Sequence, residues 1–89
     1  MREEEARSEI RARLASGRLP HERRHRLFAG YGDGSLCDGC GCPIRTMDVL
    51  YELIFEGESQ VTITLHRECV PAWRGESREQ ERSRRAVRD

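Results

Sequence analysis

Two pairs of possible metal ligands constrain the fold of this chain more than any other feature. Cys37 and Cys40 are separated by two residues, and so are His66 and Cys69. The chain has only 89 residues and is 36% hydrophobic and 36% charged. A domain of this size and polarity buries a small core and commonly needs a metal ion or disulfides to stay folded. The two pairs therefore predict a metal-stabilised domain.

The chemistry and order of these side chains predict one structural Zn²⁺ per chain. Gly41 directly follows the first pair, which suits a tight turn whose backbone N–H groups face the sulfurs. The segment from Cys40 to His66 is long enough for a hairpin that returns the second pair to the first. A helix that begins near Cys69 would favour its thiolate through the helix dipole. Three thiolates and one imidazole would fill a tetrahedral zinc ion and leave no position open for a substrate.

Two alternatives to this zinc site stay open at the level of sequence. The four residues could be incidental, half-buried thiols with a chance histidine, or they could hold an iron–sulfur cluster. The cluster is disfavoured because His66 does not suit an all-cysteine ligand set. Cys42 is a surplus thiol, interpreted as a small, partly buried residue beside the turn. It could instead replace Cys40 as a ligand, form an intermolecular disulfide or act as a nucleophile.

A helix is predicted at the N-terminus, over residues 2–16. Ala6, Ile10 and Leu14 recur at helical spacing, and Gly17 suits the C-terminal cap. Acidic residues near the start of the segment match the positive end of the helix dipole. The apolar stripe is narrow, so the helix is interpreted as an arm.

A second short helix is predicted to begin at Pro20 and to end at Gly30. Leu27 and Phe28 would be its apolar anchors. Together the two helices would make residues 1–32 a basic, helical N-terminal arm.

Alternating apolar and polar residues predict a β-hairpin after the cysteine turn. The alternation runs over residues 49–56, is interrupted by the polar sequence EGES, and resumes over residues 61–65. His66 would end the second strand, and a helix would begin close to Arg67. Pro71 fits the first turn of that helix, where no backbone N–H is needed.

The helix after the hairpin is expected to carry Trp73 on the same face as the last two ligands. Trp73 should then form the small core beside the metal with Leu53, Phe55 and Ile63. Gly75 is expected to weaken or end this helix, so the finger domain is assigned to residues 33–75. Residues 76–89 are predicted to form a polar tail that is helical or disordered. The predicted class is a small α+β, zinc-stapled domain.

The predicted order of elements resembles a treble-clef zinc finger. In that order, a turn with C-x2-C is followed by a hairpin and then by a helix that supplies H-x2-C. The resemblance covers residues 36–73 and extends to the nearby Trp73. This stretch of the chain is similar to the first zinc site of LIM domains, to PARP-type fingers and to small bacterial proteins with one such finger. A LIM domain would continue into a second zinc site, but no further ligands follow Cys69. A PARP-type finger would imply DNA-end binding through a basic surface, which this acidic centre does not provide.

No enzyme and no small-molecule substrate are predicted. The treble clef also occurs in HNH nucleases, but their histidine and asparagine pattern is missing, and the chain contains no asparagine. His21 and His25 are interpreted as solvated surface residues, since they lie in an arginine-rich segment without a well-placed acid.

The charge pattern favours a protein partner over nucleic acid. The 16 basic side chains, all arginine, balance 16 acids, and residues 33–69 carry two arginines against seven acids. Three thiolates on Zn²⁺ would make the finger more acidic. We therefore expect an adaptor or regulator that docks on another protein. The alternative is a DNA- or RNA-binding zinc-finger protein, possible in transcription regulation, that uses Arg23, Arg24, Arg26 and the C-terminal arginines.

A cytoplasmic location is expected, and no membrane partner. No stretch of the sequence is long and apolar enough to span a bilayer, and the opening MREEEARSEI lacks the apolar run of a secretory signal. In a reducing compartment, clustered cysteines bind metal more often than they form disulfides.

Overall fold

The computed structural model describes the backbone of residues 2–88 and the side chains of residues 2–84. The described chain forms two helices and a three-stranded antiparallel sheet with the strand order β1-β2-β3. The elements are α1 (Glu3–Ser16), β1 (Arg26–Tyr31), β2 (Val49–Phe55), β3 (Val61–His66) and α2 (Cys69–Arg88). The predicted α+β class is confirmed. Within residues 2–88, no helix has both the length and the apolar character that a membrane crossing requires.

Helix α1 forms where the sequence predicts it. Gly17 ends it in the left-handed conformation, at φ 81°, and its N–H donates to the carbonyl of Leu14. Ile10 and Leu14 are fully buried and belong to the single core cluster, with Ala6 packed against it. The interpretation of α1 as an arm is therefore incomplete, because its narrow apolar stripe fills part of the core.

The prediction of a second helix between Pro20 and Gly30 is wrong, since strand β1 begins within this segment, at Arg26. It pairs with β2 from Arg26 opposite Ile54 to Tyr31 opposite Val49. Residues 26–31 have side chains exposed to solvent. An extended strand places two adjacent apolar residues on opposite faces, whereas a helix would have needed both on one stripe. The backbone hydrogen bonds that β2 offers decide the conformation of this segment, and no side-chain pattern reveals them.

The predicted hairpin is confirmed as β2 and β3. The two strands pair from Phe55 opposite Val61 to Leu50 opposite His66. The expected core beside the ligands is also confirmed, with Trp73 fully buried against Phe55 at a ring-centroid distance of 6.0 Å. The other two predicted core residues are buried with them, Leu53 and Ile63.

Helix α2 runs without interruption through Gly75, so the predicted alternative in which the helix ends there is wrong. Pro71 lies in its first turn, as predicted. The helix continues because Glu76 and Ser77, just after the glycine, are buried and hydrogen-bonded to other elements. Of the two alternatives for the tail, the helical one is confirmed as far as residue 88. Asp89 lies outside the described residues.

Candidate metal centre

The four predicted ligands come together in one cluster. Their donor atoms all lie within 4.8 Å of one another. Cys37 and Cys40 come from the turn before β2, His66 is the last residue of β3, and Cys69 is the first residue of α2. Sulfur atoms bound to one tetrahedral zinc ion are roughly 3.8 Å apart, as Zn–S bonds of about 2.3 Å require. The cluster is therefore a plausible single metal site.

The turn at Cys37 and Cys40 is built by backbone hydrogen bonds. The N–H of Cys37 donates to the carbonyl of Cys42 at 2.9 Å, and the N–H of Gly41 donates to the carbonyl of Cys37 at 2.9 Å. Gly41 has φ 83°, a left-handed conformation that favours glycine. The backbone N–H groups of Cys40 and His66 both point at Cys37 Sγ, each at 3.5 Å. The turn thus presents the N–H of Cys40 to sulfur, as the sequence predicts, and β3 supplies the second N–H from His66.

The three cysteines differ in how the protein treats their charge. Cys37 accepts hydrogen bonds from the Cys69 thiol and from backbone N–H groups, which lowers its pKa to about 4. Burial raises the pKa of Cys40 to about 11. The pKa of Cys69 is raised, mainly because its thiol donates a hydrogen bond to Cys37 and secondly because it is buried. A divalent cation at the centre would favour all three thiolates, because a coordinating thiol loses its proton.

The imidazole of His66 is oriented for coordination through Nδ1. Nδ1 lies 3.4 Å from Cys40 Sγ and 3.9 Å from Cys69 Sγ, while Nε2 lies 3.1 Å from the carbonyl oxygen of Pro43. A carbonyl only accepts, so Nε2 carries the proton and the lone pair of Nδ1 faces the sulfurs. Asp48 Oδ2 is 4.0 Å from Nε2. Metal-binding histidines are commonly held in this way by a hydrogen bond from the other ring nitrogen.

Asp38, between the first two ligands, ties the cysteine turn to the edge of β3. Its N–H donates to the carbonyl of Thr64 at 2.8 Å, and its carboxylate Oδ2 accepts the N–H of Thr64 at 2.7 Å. This role of Asp38 is not among the sequence-based predictions. A short acidic side chain inside a C-x2-C turn is its only signal, and that signal does not specify the strand that it binds.

Helix α1 supports the same turn from the other side. Ile10 packs closely on Gly39, where a Cβ would lie 3.1 Å from Ile10 Cγ1 and from Leu65 Cδ2 and would force these side chains to shift. Arg13 Nη1 donates to the carbonyl of Asp38 at 3.1 Å. The segment predicted as an arm therefore positions the first pair of ligands.

Cys42 does not join the cluster formed by the four ligands. It is half-buried and packs against the core. This position agrees with its interpretation as a small, partly buried residue beside the turn, and it keeps Cys40 in the ligand set.

The arginine-rich segment after α1 covers the core instead of extending into solvent. Trp73 Nε1 donates to the carbonyl of Pro20 at 2.7 Å. The ring of His25 lies 5.6 Å from the ring of Trp73, and His21 Nε2 lies 3.0 Å from Gln80 Oε1. Both histidines are half-buried, so their interpretation as solvated surface residues is wrong. The segment connects α1 to β1 across the aromatic core, which the sequence does not indicate.

Two of the three arginines proposed for nucleic acid already have partners within the protein. Arg23 Cζ lies 4.8 Å from the ring centroid of Phe55, and Arg26 forms an ion pair with Glu56. Arg24 is exposed. Among the C-terminal arginines, the side chains of Arg85 and Arg88 lie outside the described residues.

A second polar cluster lies along α2, on the side that faces α1. The side chain of Glu76 is only 5% exposed and accepts two hydrogen bonds from Arg11, Nε to Oε1 at 2.8 Å and Nη2 to Oε2 at 3.2 Å. Arg7 Nη1 lies 3.5 Å from the same carboxylate. The hydrogen bond from Arg11 holds the pKa of Glu76 below its usual range. The sequence gives no indication of this cluster, because Arg11 and Glu76 are far apart in the chain.

Comparison with protein-family models, with curated proteins and with solved structures gave no match for this chain.

Proposed function

We propose that Cys37, Cys40, His66 and Cys69 bind one structural Zn²⁺ in a treble-clef arrangement. The observation that carries this proposal is the imidazole of His66, whose unprotonated nitrogen faces two cysteine sulfurs while the protonated one is bonded to a carbonyl. This orientation directs the lone pair of His66 that would coordinate the ion toward the sulfurs that would complete its ligand set. The order of turn, hairpin and helix supports the treble-clef assignment.

The proposed role of the ion is structural. Four protein ligands complete the tetrahedral coordination of zinc, so no position is left for water or a substrate. All three cysteines are buried, with exposed fractions between 0% and 5%. Soft thiolates and an imidazole are the donors that suit zinc, whereas Mg²⁺ and Ca²⁺ take oxygen ligands. We therefore propose a protein without catalytic activity, in which the ion holds the turn, the hairpin and α2 together.

The proposed biological role is that of an adaptor or regulator that binds another protein. Two of the three clustered arginines that could contact phosphate already have partners, since Arg23 lies over the ring of Phe55 and Arg26 pairs with Glu56. The loaded centre would carry about one negative charge, as three thiolates on Zn²⁺ imply. Large apolar side chains are exposed instead, among them Tyr31 at 81%, Leu36 at 63% and Met47 at 92%. Exposed apolar side chains of this kind are more typical of protein interfaces than of phosphate contacts.

Metal analysis of the purified protein tests the first part of the proposal. One zinc per chain is expected, and substitution of any one ligand by Ala should remove it. Cys42→Ala is the matched control, since it removes a neighbouring thiol outside the cluster and should leave the zinc content unchanged. Iron with visible charge-transfer absorption, or zinc that depends on Cys42 and not on Cys40, would contradict the assignment.

Titration against nucleic acid tests the second part. Duplex, nicked and single-stranded probes should bind weakly at about 150 mM salt, a physiological ionic strength. Binding through arginine would release counterions and fall steeply as salt is added. The test variant changes Arg23, Arg24 and Arg26 together to Ala, and the control variant changes three exposed arginines elsewhere, Arg2, Arg18 and Arg45. Sub-micromolar binding that is lost only in the test variant would overturn the adaptor proposal in favour of nucleic-acid binding.

A further inference from the structure

The outer edge of β1 offers unpaired backbone groups at every second residue. The N–H of Gly32 donates to the carbonyl of Asp48, which continues the pairing of β1 with β2. Hydrogen-bonded and non-hydrogen-bonded pairs alternate along an antiparallel ladder, so Phe28 and Gly30 also bond to β2. The residues that alternate with these three therefore direct their N–H and C=O groups away from the sheet. They are Leu27, Ala29 and Tyr31.

The opposite edge of the sheet is closed in a way that this edge is not. On β3, Thr64 exchanges hydrogen bonds with Asp38, and the N–H of His66 donates to Cys37 Sγ. Among the described residues, no hydrogen bond reaches the outward backbone groups of β1 from any other element. The open edge belongs to a strand that is exposed along its whole length.

The side chains of β1 do little to prevent a further strand from pairing there. Exposed edges are usually protected by lysine, proline or a bulge. In β1 the only charged residue is Arg26, and its charge is already paired with Glu56. The larger apolar residues are Leu27, Phe28 and Tyr31, exposed by 40%, 51% and 81%. This edge is suited to accept an extended strand.

We propose that β1 pairs with β1 of a second copy of this chain, antiparallel, about a two-fold axis at Ala29. In this register Ala29 lies opposite its own counterpart, and Leu27 lies opposite Tyr31 of the second copy. All three outward-facing residues then form hydrogen-bonded pairs, each of which exchanges two backbone bonds. The two sheets join into one continuous six-stranded sheet, with the same surface used by both copies.

The side chains of β1 complement themselves in this register, which favours a second copy over an unrelated strand. Phe28 lies opposite Gly30 of the second copy, so each aromatic ring covers a glycine on the neighbouring strand. Leu27 and Tyr31 form an apolar pair on the other face, and such cross-strand pairs stabilise antiparallel sheets. The residue at the axis is the small Ala29, where two large side chains would collide.

The charges at the two ends of β1 are also complementary. The antiparallel register brings the N-terminal end of β1, at Arg26, near Asp33, which follows β1 in the second copy. Each basic end therefore meets an acidic residue, and no like charges are opposed. The pairing uses no metal ligand and so does not rest on the zinc proposal, but it assigns Tyr31, one of the apolar residues that support the adaptor proposal, to the contact between copies.

Sedimentation equilibrium of the zinc-loaded full chain, over a range of concentrations, tests the pairing. A reversible dimer is expected. Hydrogen exchange read at single amides should show Leu27, Ala29 and Tyr31 protected at high concentration and unprotected on dilution. Phe28 and Gly30 are internal controls, because they bond to β2 and should be protected at every concentration.

A matched pair of variants locates the interface. Ala29→Glu places two like charges opposite each other at the axis and should weaken dimerisation roughly tenfold or more. Thr62→Glu adds the same charge at an exposed position of the other edge strand and should leave dimerisation unchanged. Circular dichroism reports whether each variant is folded. If Ala29→Glu does not fold, Ala29→Pro replaces it, because proline at this position removes only an outward N–H.

Two results would overturn the proposal. A chain that stays monomeric at every concentration, with the outward amides of β1 unprotected throughout, has no pairing between copies and leaves this edge to a strand of another protein. A dimer that Thr62→Glu weakens as much as Ala29→Glu has its interface elsewhere.

Discussion

Two parts of helix α2 are fastened to the rest of the protein by different chemistry. Its first turns carry Cys69 and Trp73, which face the proposed metal ion and the aromatic core. Its middle turns carry Glu76 and Gln80, which bond to α1. The first fastening depends on an ion that can be removed, whereas the second uses protein groups alone. One helix of this small protein is thus held both by a proposed metal ion, which can be removed, and by hydrogen bonds to α1, which cannot.

The largest expected effect comes from removing the metal ion. Chelation, or Cys69→Ala, should unfold residues 36–73, because the binding energy of a small zinc domain is largely its folding energy. Circular dichroism and hydrogen exchange at the amides of β2 and β3 would measure the loss, and added Zn²⁺ should restore the wild type alone. Retention of full protection in the hairpin without metal would show that the two fastenings do not differ as described.

Trp73→Ala should have the next largest effect, a loss of about 3 to 5 kcal/mol in the free energy of unfolding. The indole is fully buried, packs against Phe55 and donates to the carbonyl of Pro20. Urea denaturation of the zinc-loaded protein measures this change. Trp73→Phe is the graded control, since it keeps most of the packing and removes the hydrogen bond. An equal loss in both variants would assign the effect to the hydrogen bond instead of to packing.

Glu76→Gln should lower the free energy of unfolding by about 1.5 to 3 kcal/mol, the usual range for hydrogen bonds to charged groups. Glu79→Gln is the matched control on the same helix, because Glu79 is exposed and its ion pair with Arg82 lies at the surface. Equal effects of the two substitutions in urea denaturation would show that burial adds nothing to the contact between α1 and α2.

This contribution should also depend on pH. Arg11 lowers the pKa of Glu76 in the folded protein, so its stabilisation is complete above the unfolded pKa of about 4.3 and is lost as pH falls through the folded value. The difference in stability between the wild type and Glu76→Gln should therefore stay constant above about pH 5 and narrow in acid. A difference that grows in acid would contradict the direction of the shift.

The smallest expected effect is that of Asp38→Ala, about 1 kcal/mol for a lost hydrogen bond. The carboxylate accepts the N–H of Thr64 on the edge of β3, so its loss should also increase hydrogen exchange at that amide. Asp33→Ala serves as the control, since among the described residues the carboxylate of Asp33 bonds to Ser35, in an exposed turn. Unchanged exchange at Thr64 would show that Asp38 does not close this edge.

The parts of the fold that the sequence predicts are those fixed by local patterns. Ligand spacing identifies the cluster, and alternation of apolar residues identifies the hairpin, because each pattern reflects a repeat in the local backbone. The position of Trp73 in the core follows from its place on the ligand face of α2. Each of these features is determined by residues that are close together in the sequence, so a local pattern is enough to predict it.

The missed features all depend on partners far away in the sequence. Leu27 and Phe28 lie in a strand because β2 supplies backbone hydrogen bonds to that segment. Gly75 does not end α2, because the next turn is held by Glu76 and its pairing with Arg11. No local pattern distinguishes a glutamate that will be buried by a distant arginine from one that stays in solvent.

The hydrogen bonds between Arg11 and Glu76 have a consequence for the order in which the chain folds. They join residues 65 positions apart, whereas Cys40 and His66 are 26 positions apart within that interval. The entropy lost on closing a loop increases with its length, so a metal ion that joins the inner pair also shortens the outer loop. We therefore expect the hairpin to form before α1 docks on α2. In pulse-labelled hydrogen exchange after addition of Zn²⁺, amides of β2 and β3 should become protected before those of α1, and the reverse order would contradict this sequence of events.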